Sequence, residues 1–448
     1  MTSLEQLARF VVDTTPSAEA RANAQRAVID TIGVALAGSA EPAARIVRES
    51  IRLAGSGGAA TTAPPPPAQP GGCSIWGTPM TAPAPVAVLA NGTAAHALDF
   101  DDMCFISLAH PSAPLVPAIV AIGEFTRASL DAILDAYVVG FEVQARLGKL
   151  MNPRHYQRGW HCTSTLGVMS AAAGAARLLG LDAGAAGHAL AIAASSTSGL
   201  KENFGTMVKP LHAGMAARDG VLAALFAKSG LTASDKAIDG PQGYLHALDA
   251  ESEDLASVTA DLGSRWEILD TGITVKLYPS CAGTHPSLDA VLDLRSEHAF
   301  TAGDVEKIEI DVDPIVPTIL IYERPSSPLE GKFSMPFCVA SAVVHGRVSI
   351  DTFDDAGLSD RRVGALMPRV TMRVDPEIGG SKPALTEARV RVGLKDGRIL
   401  TKEAHGARGY PTNPASAAEL EAKFLSCATR VMSESDARAE LIRWRPGP

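Results

Sequence analysis

Residues 164–179 read STLGVMSAAAGAARLL and residues 183–195 read AGAAGHALAIAAS. Neither stretch alternates as a half-buried strand does, and both are long and rich in alanine, the best helix former. Their side chains are small, so neighbouring helix axes can approach closely, which suits a large helical bundle. Working outward from this pair, helical patterning recurs at 85–98, 113–127, 130–150 and 212–228. Towards the N-terminus, Ser3 precedes Leu4, Leu7, Phe10 and Val11, which share one helical face. Pro16-Ser17 then opens a helix with Val28, Ile32 and Leu36 on its stripe and Gly38 as its stop. Residues 54–72 contain Gly57-Gly58 and the run Pro64 to Pro67, and read as an inserted loop with polyproline character and no chemistry.

The pattern changes near Asp270. Val305, Ile308, Ile310 and Val312 recur mostly at strand period, and Val370, Met372 and Val374 alternate strictly. Residues 389–394 and 398–402 flank Lys395-Asp396-Gly397, a hairpin with an Asp-Gly turn. Helical patterns at 285–298 and 335–345 sit among these strands, and helix returns after Gly406 with Leu420, Phe424 and Leu425 as core candidates. The expected fold is mainly α with an α+β part. Residues 1–269 form a large all-helical domain, residues 270–406 a smaller α+β domain, and residues 407–448 pack back on the first.

A hydrophobic fraction of 46% with 20% charged residues excludes a disordered chain. A formal net charge of −9 argues against nucleic-acid and anionic-membrane partners, while leaving room for a small basic pocket. The six cysteines form no Cys-x-x-Cys pair, so neither a zinc knuckle nor a thioredoxin-like site is expected, and their scarcity fits a reducing compartment. The first ten residues carry Glu5 and Arg9 and lack a signal-peptide core, and no run of about 18 uncharged apolar residues occurs. The expectation is a cytoplasmic protein without a membrane span.

Four stretches crowd titratable residues together with Gly, Pro and Ser. The first runs from Asn91 to Ser112 and holds His96, then Asp99, Asp101 and Asp102, then His110. Three carboxylates at a helix end oppose the helix dipole, so they must be solvated, hydrogen-bonded or bound to a cation. The Mg²⁺ reading, as in prenyl-pyrophosphate enzymes, wants a second acidic cluster facing the first, and none with ligand spacing is found. The second, Gly159 to Thr165, puts His161 at the start of a helix capped by Thr or Ser, where the field favours the neutral imidazole. The third, Asn203 to His212, has Lys209 before Pro210, which predicts an extended lysine ahead of a helix starting near His212 and able to clamp a carboxylate. The fourth, Lys276 to His285, lies where helices give way to the α+β part; Cys281 with His285 would be a nucleophile pair, but no oxyanion motif accompanies it. Each stretch also has a bland reading as an exposed helix end, a structural histidine or a surface lysine.

In this order, NGTAAHALDFDD, HPS, GWHCTSTLG, GTMVKPLHAG and KLYPSCAGTH resemble the MmgE/PrpD family, which includes 2-methylcitrate dehydratase, cis-aconitate decarboxylase and iminodisuccinate epimerase. The resemblance spans nearly the whole chain, with the Pro-rich loop as an insertion. It implies a helical domain with an α+β lid, a homodimer, no metal or organic cofactor, and a small anionic carboxylate as substrate. By the same resemblance Asp99, His110, His161, Lys209 and Lys276 are the catalytic set lining a pocket, and Lys209, Lys276, His212, Thr163 and Tyr322 bind substrate. Met103 departs from the small hydroxyl residue of decarboxylase-like members, and the surrounding motifs look closer to the epimerase. The shared chemistry is proton removal beside a carboxylate, with Lys209 and Lys276 neutralising charge, His161 as base and His110 as acid. Asp99 orients a His or Lys. The activity expected first is dehydration of a di- or tricarboxylic acid such as 2-methylcitrate; epimerisation of an amino- or imino-dicarboxylate, decarboxylation of a cis-aconitate type, and a non-catalytic binding role are the alternatives.

Overall fold

The computed structural model describes residues 2–55, 72–379 and 386–445, so the proline run expected to be an inserted loop lies outside the described residues. The structure is mainly helical, with a smaller mixed α+β unit. Helices Ser3–Asp13 and Ala18–Gly38 begin at Thr2 and Ser17, whose hydroxyls accept from the backbone N–H three residues on. The second ends at Gly38, as its sequence predicts. Ala84–His96, Ser112–Thr126, Leu130–Met151, Gly167–Leu178, Ala183–Ser195 and Val208–Lys228 complete the bundle around one apolar core. Among the described residues no helix is long and apolar enough to cross a membrane.

Small residues set the spacing that builds the site. Where Ala84–His96 crosses Val208–Lys228, a Cβ on Gly92 would lie 2.8 Å from the Cα of Gly214, and one on Gly214 would lie 2.4 Å from the Leu89 carbonyl oxygen. Only glycine lets these backbones touch. The contact brings His96, at the end of one helix, towards Lys209 and His212, at the start of the other.

Strands β1 (Cys73–Ser74) and β2 (Thr81–Ala82) form a small antiparallel ribbon that sequence patterning missed, because two-residue strands carry no period. The second sheet runs β4 (Val370–Val374), β3 (Val305–Val312), β5 (Ala388–Leu394), β6 (Ile399–Ala404), with β3 parallel to β4 and the other pairs antiparallel. The β5–β6 hairpin turns at Asp396-Gly397, with Gly397 at φ +87°. An irregularity between Val305 and Lys307 explains why β3 departs from strict alternation at its start. Helices His285–His298 and Met335–His345 pack on this sheet over a second apolar core. On the sheet's other side Asp311 pairs with Arg391 at 2.7 Å and Arg373 at 3.3 Å.

Helix Ala417–Ala428 returns to pack on Ala18–Gly38, where Gly33 leaves room for the ring of Phe424. Buried Lys423 pairs with Asp30 at 2.7 Å and donates to the Phe100 carbonyl at 2.8 Å, tying the C-terminal segment to the acidic loop.

Candidate active site

The acidic stretch does not end a helix. Ala84–His96 stops three residues before Asp99, which takes the left-handed conformation at φ +51°. Asp tolerates that region better than most residues, and the turn points consecutive carboxylates in different directions. All three are buried, and each has its own partners. Lys209 Nζ donates to Asp99 Oδ1, while Lys276 Nζ donates to Asp99 Oδ2 at 3.1 Å and to the Asp99 carbonyl at 2.9 Å. Burial alone would push the Asp99 carboxyl up; the two ammonium groups outweigh it and hold Asp99 well below the usual carboxylate range.

Asp101 faces histidines. His96 Nδ1 lies 2.7 Å from Asp101 Oδ2, and His110 Nδ1 lies 3.2 Å from the same oxygen in a poorly aligned approach. Burial opposes ionisation here too, but the imidazoles hold Asp101 well below its ordinary range. Burial pushes His96 down to about 3 despite Asp101, so His96 is neutral and its Nδ1–H donates to the carboxylate. His110 is also lowered, by burial first, with Asp101 pulling the other way. Asp101 favours the proton on His110 Nδ1, which leaves Nε2 free towards the cavity, 3.9 Å from Asp99 Oδ1.

Asp102 serves the fold. It accepts from the backbone N–H of Ser112 at 3.2 Å and is bonded to the Ser112 hydroxyl, which meets Tyr137 Oη at 2.6 Å. Burial pushes its carboxyl up to about 8, so it holds a proton at neutral pH and anchors the first turn of Ser112–Thr126.

His161 does not precede a Thr or Ser cap; it occupies the N-cap position itself, ahead of the single turn Cys162–Thr165, and Thr163 Oγ1 instead accepts from the backbone N–H of His110 at 3.1 Å. The helix expected over 164–179 is therefore broken at Leu166. The His161 backbone N–H donates to the Gly199 carbonyl at 3.1 Å. Gly199 has φ +115°, and a Cβ there would lie 2.7 Å from Ser164 Cβ, so glycine is required for this close pass. His161 Nδ1 is 3.1 Å from His212 Nδ1, its ring meets Phe204 edge-on at 5.0 Å, and its Nε2 is buried without a partner. Burial lowers His161 well below the ordinary histidine range, and His96 and Lys209 add to the effect. His212 is pushed down to about 4, by burial and then by Lys209.

Lys209 differs from its sequence reading. The helix begins at Val208, not near His212, so Lys209 and Pro210 lie in its first turn. Proline is tolerated there because first-turn N–H groups have no intrahelical acceptor to lose. Nζ of Lys209 sits 5.3 Å and 5.1 Å from the ring centres of Phe204 and Phe333, a largely desolvated setting.

Asp99, His110, His161, Thr163 and Lys209 line one cavity of about 560 Å³ between the helical body and the α+β part. Three expected site residues do not. Lys276 is fully buried beneath Asp99, because its segment is bonded on both sides: Thr274 to Met103, and Val275 to Gly409. His212 stands behind His161. Tyr322 is held away from the cavity by its hydroxyl, which donates to the Phe204 carbonyl at 3.0 Å. Cys281 lines the wall, yet burial pushes its thiol up and His285 Nε2 turns to the Ser280 carbonyl at 3.2 Å, so no nucleophile pair forms.

Sequence reasoning passed over Lys332. It is buried and bonded to the carbonyls of Leu98 at 2.8 Å and Pro279 at 3.0 Å, pinning the acidic loop to the Lys276–His285 loop. Burial pushes its ammonium down to about 8. A lysine in Gly331-Lys332-Phe333-Ser334, just before a helix, offers little signal of burial. Among the described residues, His96, Asp99, Asp101 and His110 bring four potential metal-ligand atoms within 4.8 Å of one another. Asp99 spends both oxygens on lysines, so a dication there would face two ammonium groups.

Residues 5–254 match the MmgE/PrpD N-terminal domain and residues 278–444 match the MmgE/PrpD C-terminal domain. The chain belongs to the MmgE/PrpD family. Its relatives include cis-aconitate decarboxylase of Mus musculus, 28% identical over 375 residues that cover 80% of this chain and 75% of the relative. The Homo sapiens cis-aconitate decarboxylase is 28% identical over 374 residues, covering 80% and 76%. That of Aspergillus terreus is 26% identical over 390 residues, covering 82% and 79%. Family and relatives together support a lyase-type enzyme.

Proposed function

We propose that this MmgE/PrpD protein is a cofactor-independent lyase that develops a carbanion beside the carboxylate of a small organic acid, with elimination of water as its reaction. The observation that carries this reading is the pair of neutral imidazoles, His110 and His161, facing one cavity beside Lys209. Proton removal beside a carboxylate loads charge onto a group already negative, so fixed cations must neutralise it. Lys209 meets the substrate carboxylate; Lys276, from below, stabilises Asp99 and through it the position of Lys209.

His110 is the better base, because Asp101 behind it favours the imidazolium that forms. This reverses the assignment expected from the sequence. His110 Nε2 takes the proton, and the C–H electron pair passes by way of the carbon and its carboxylate into the new C=C bond. The hydroxyl on the neighbouring carbon breaks away as water with the Nε2 proton of His161; solvent then carries the proton held on the His110 imidazolium back to the His161 imidazolate. His161 can donate from Nε2 when His212 supplies the proton between their Nδ1 atoms; a neutral imidazole near a helix start is a competent hydrogen-bond donor. The names of the relatives favour a second reading, decarboxylation, in which His161 protonates the carbanion left as carbon dioxide departs. Epimerisation would use the same two histidines on opposite faces of one carbon.

Proton NMR in D₂O with citrate, 2-methylcitrate, cis-aconitate, malate and iminodisuccinate tests the proposal. New vinyl signals with no carbon dioxide released support elimination. Carbon dioxide release moves the assignment to decarboxylation, and loss of an α-proton signal without a new product moves it to epimerisation. The homodimer and the cytoplasmic location are part of the same proposal, and sedimentation of the purified protein checks the first.

A further inference from the structure

Three consecutive backbone carbonyls on the acidic turn each accept from the ammonium of a different lysine. Lys332 donates to the Leu98 carbonyl at 2.8 Å, Lys276 to that of Asp99 at 2.9 Å and Lys423 to that of Phe100 at 2.8 Å. The three donors come from separate parts of the fold. Lys332 stands just before helix Met335–His345 of the α+β part, Lys276 lies at the junction, and Lys423 is on the C-terminal helix Ala417–Ala428. All three are buried.

The backbone of the turn explains why it needs outside donors. Asp99 is left-handed at φ +51°, so the chain leaves the helix that ends at His96. Among the described residues, none of the three carbonyls accepts from a backbone N–H. A buried carbonyl must find a donor, and a hydroxyl would serve at a smaller desolvation cost than an ammonium. A hydroxyl is what the neighbouring Asp102 side chain meets, from Ser112. Charged donors make the stronger bonds, and here they are spent on the segment that carries Asp99 and Asp101.

These carbonyls belong to the peptide planes Leu98–Asp99, Asp99–Phe100 and Phe100–Asp101. Each plane is rigid, so holding all three fixes both sides of Asp99 and the N-terminal side of Asp101. Asp99 holds Lys209, and Asp101 meets His110 at 3.2 Å. The Phe100 ring packs against the third donor, with Lys423 Nζ 4.1 Å from its centre.

We propose that Lys423, which is not on the cavity wall, is a positioning residue for the reaction. By holding the Phe100 carbonyl it aims Asp101 at His110 and Asp99 at Lys209, so the C-terminal helix is part of the active site's support. The roles of His110 and Lys209 rest on the lyase reading above.

The ion pair of Lys423 with Asp30 at 2.7 Å allows the test to separate positioning from stability. Lys423→Met removes the donor to Phe100 and strands the Asp30 carboxylate. Adding Asp30→Asn removes the stranded charge but returns no donor to Phe100. Wild type, Asp30→Asn, Lys423→Met and the double variant are compared as full-length proteins. The readouts are the urea midpoint, amide hydrogen exchange of the peptide 97–104 by mass spectrometry, and kcat/KM on whichever acid of the NMR panel is turned over. Lys423→Met should lower the midpoint, speed the exchange at least about tenfold and cut kcat/KM at least about tenfold. The double variant should regain most of the midpoint while exchange and kcat/KM stay at the Lys423→Met values; it is also the variant to read if Lys423→Met alone does not fold. Asp30→Asn alone should keep exchange and kcat/KM within about threefold of wild type. Exchange and kcat/KM that recover together with the midpoint in the double variant would make Lys423 merely structural and overturn the proposal. Wild-type kcat/KM in Lys423→Met would overturn it too. If the wild-type protein turns over none of the acids, the lyase reading falls, and slow exchange in the double variant still overturns the hold of Lys423 on the turn.

Discussion

Replacing Asp99 by Asn tests whether this carboxylate organises the site. Asn fits the left-handed backbone at φ +51° nearly as well as Asp, so the change removes a charge without a new conformational penalty. Two buried ammonium groups lose their counter-charge. At the 3.1 Å separation from Lys276, with an effective dielectric of about 20, the gross attraction lost is about 5 kcal/mol. Breaking a buried ion pair by removing one partner costs about 3–5 kcal/mol, and that is the expected destabilisation. The Lys276 bond to the Asp99 carbonyl should persist and keep the effect towards the lower value. Urea denaturation followed by tryptophan fluorescence reads this cleanly, because Trp76, Trp160, Trp266 and Trp444 all report outside the α+β part. With Lys209 displaced, kcat/KM should fall about 10²–10³-fold. Adding Lys209→Met should cost less stability in the Asp99→Asn background than in the wild type, since it removes one of the stranded cations. An Asp99→Asn protein with unchanged midpoint and unchanged activity would refute the reasoning.

Asp102→Asn should change stability by less than about 1 kcal/mol, because the carboxyl that Asn replaces already carries a proton at neutral pH; a loss above about 3 kcal/mol by denaturation would mean that Asp102 is ionised. Gly199→Ala should cut kcat/KM at least about tenfold while the helical content by circular dichroism stays intact, since the new methyl displaces Ser164 and with it His161. Acidification should destabilise the fold. Burial depresses His96 and His285 to about 3 and His155 to about 4, whereas unfolded histidines titrate near about 6.5. Between pH 6.5 and about 4 the unfolded chain therefore binds protons that the folded one does not, and stability falls by at most about 1.4 kcal/mol per pH unit for each histidine. Denaturation midpoints that stay flat across that window would contradict these buried neutral states. Lys332→Met should lower the melting temperature and kcat/KM together, because the carbonyls of Leu98 and Pro279 lose their shared donor; unchanged values for both would reduce Lys332 to a bystander.

The regular elements were legible because their signals are local. Ser17 and Gly38 bracket their helix, and the Asp-Gly hairpin and the strands around Ile310 and Met372 follow from alternation within a few residues. Lys209 was misread because a local rule, the extended preference before proline, yields in the first turn of a helix, where the missing donor costs nothing. The motifs pointed to polar residues but not to their depth. Asp99, His110, His161 and Lys209 reach one cavity because Gly92 meets Gly214 and Gly199 passes Ser164, contacts between positions far apart in the chain. The same long-range packing puts Lys276 beneath the wall and turns Tyr322 to the Phe204 carbonyl, which no spacing reveals. Lys332 and the partition of Asp99, Asp101 and Asp102 among lysines, histidines and Ser112 also depend on which segments fold against the loop.

The most direct test of the central claim is the fate of carbon-bound hydrogen, followed by NMR in D₂O with the wild-type protein and with His110→Asn and Lys209→Met, on whichever acid the protein turns over. The account predicts that hydrogen beside the carboxylate is lost to solvent, or that a solvent deuteron is gained on carbon, in step with wild-type turnover, and that both variants lose this exchange by at least about 10²-fold while remaining folded. Turnover with every carbon-bound hydrogen retained and none gained, or full exchange by the His110→Asn protein, would contradict it.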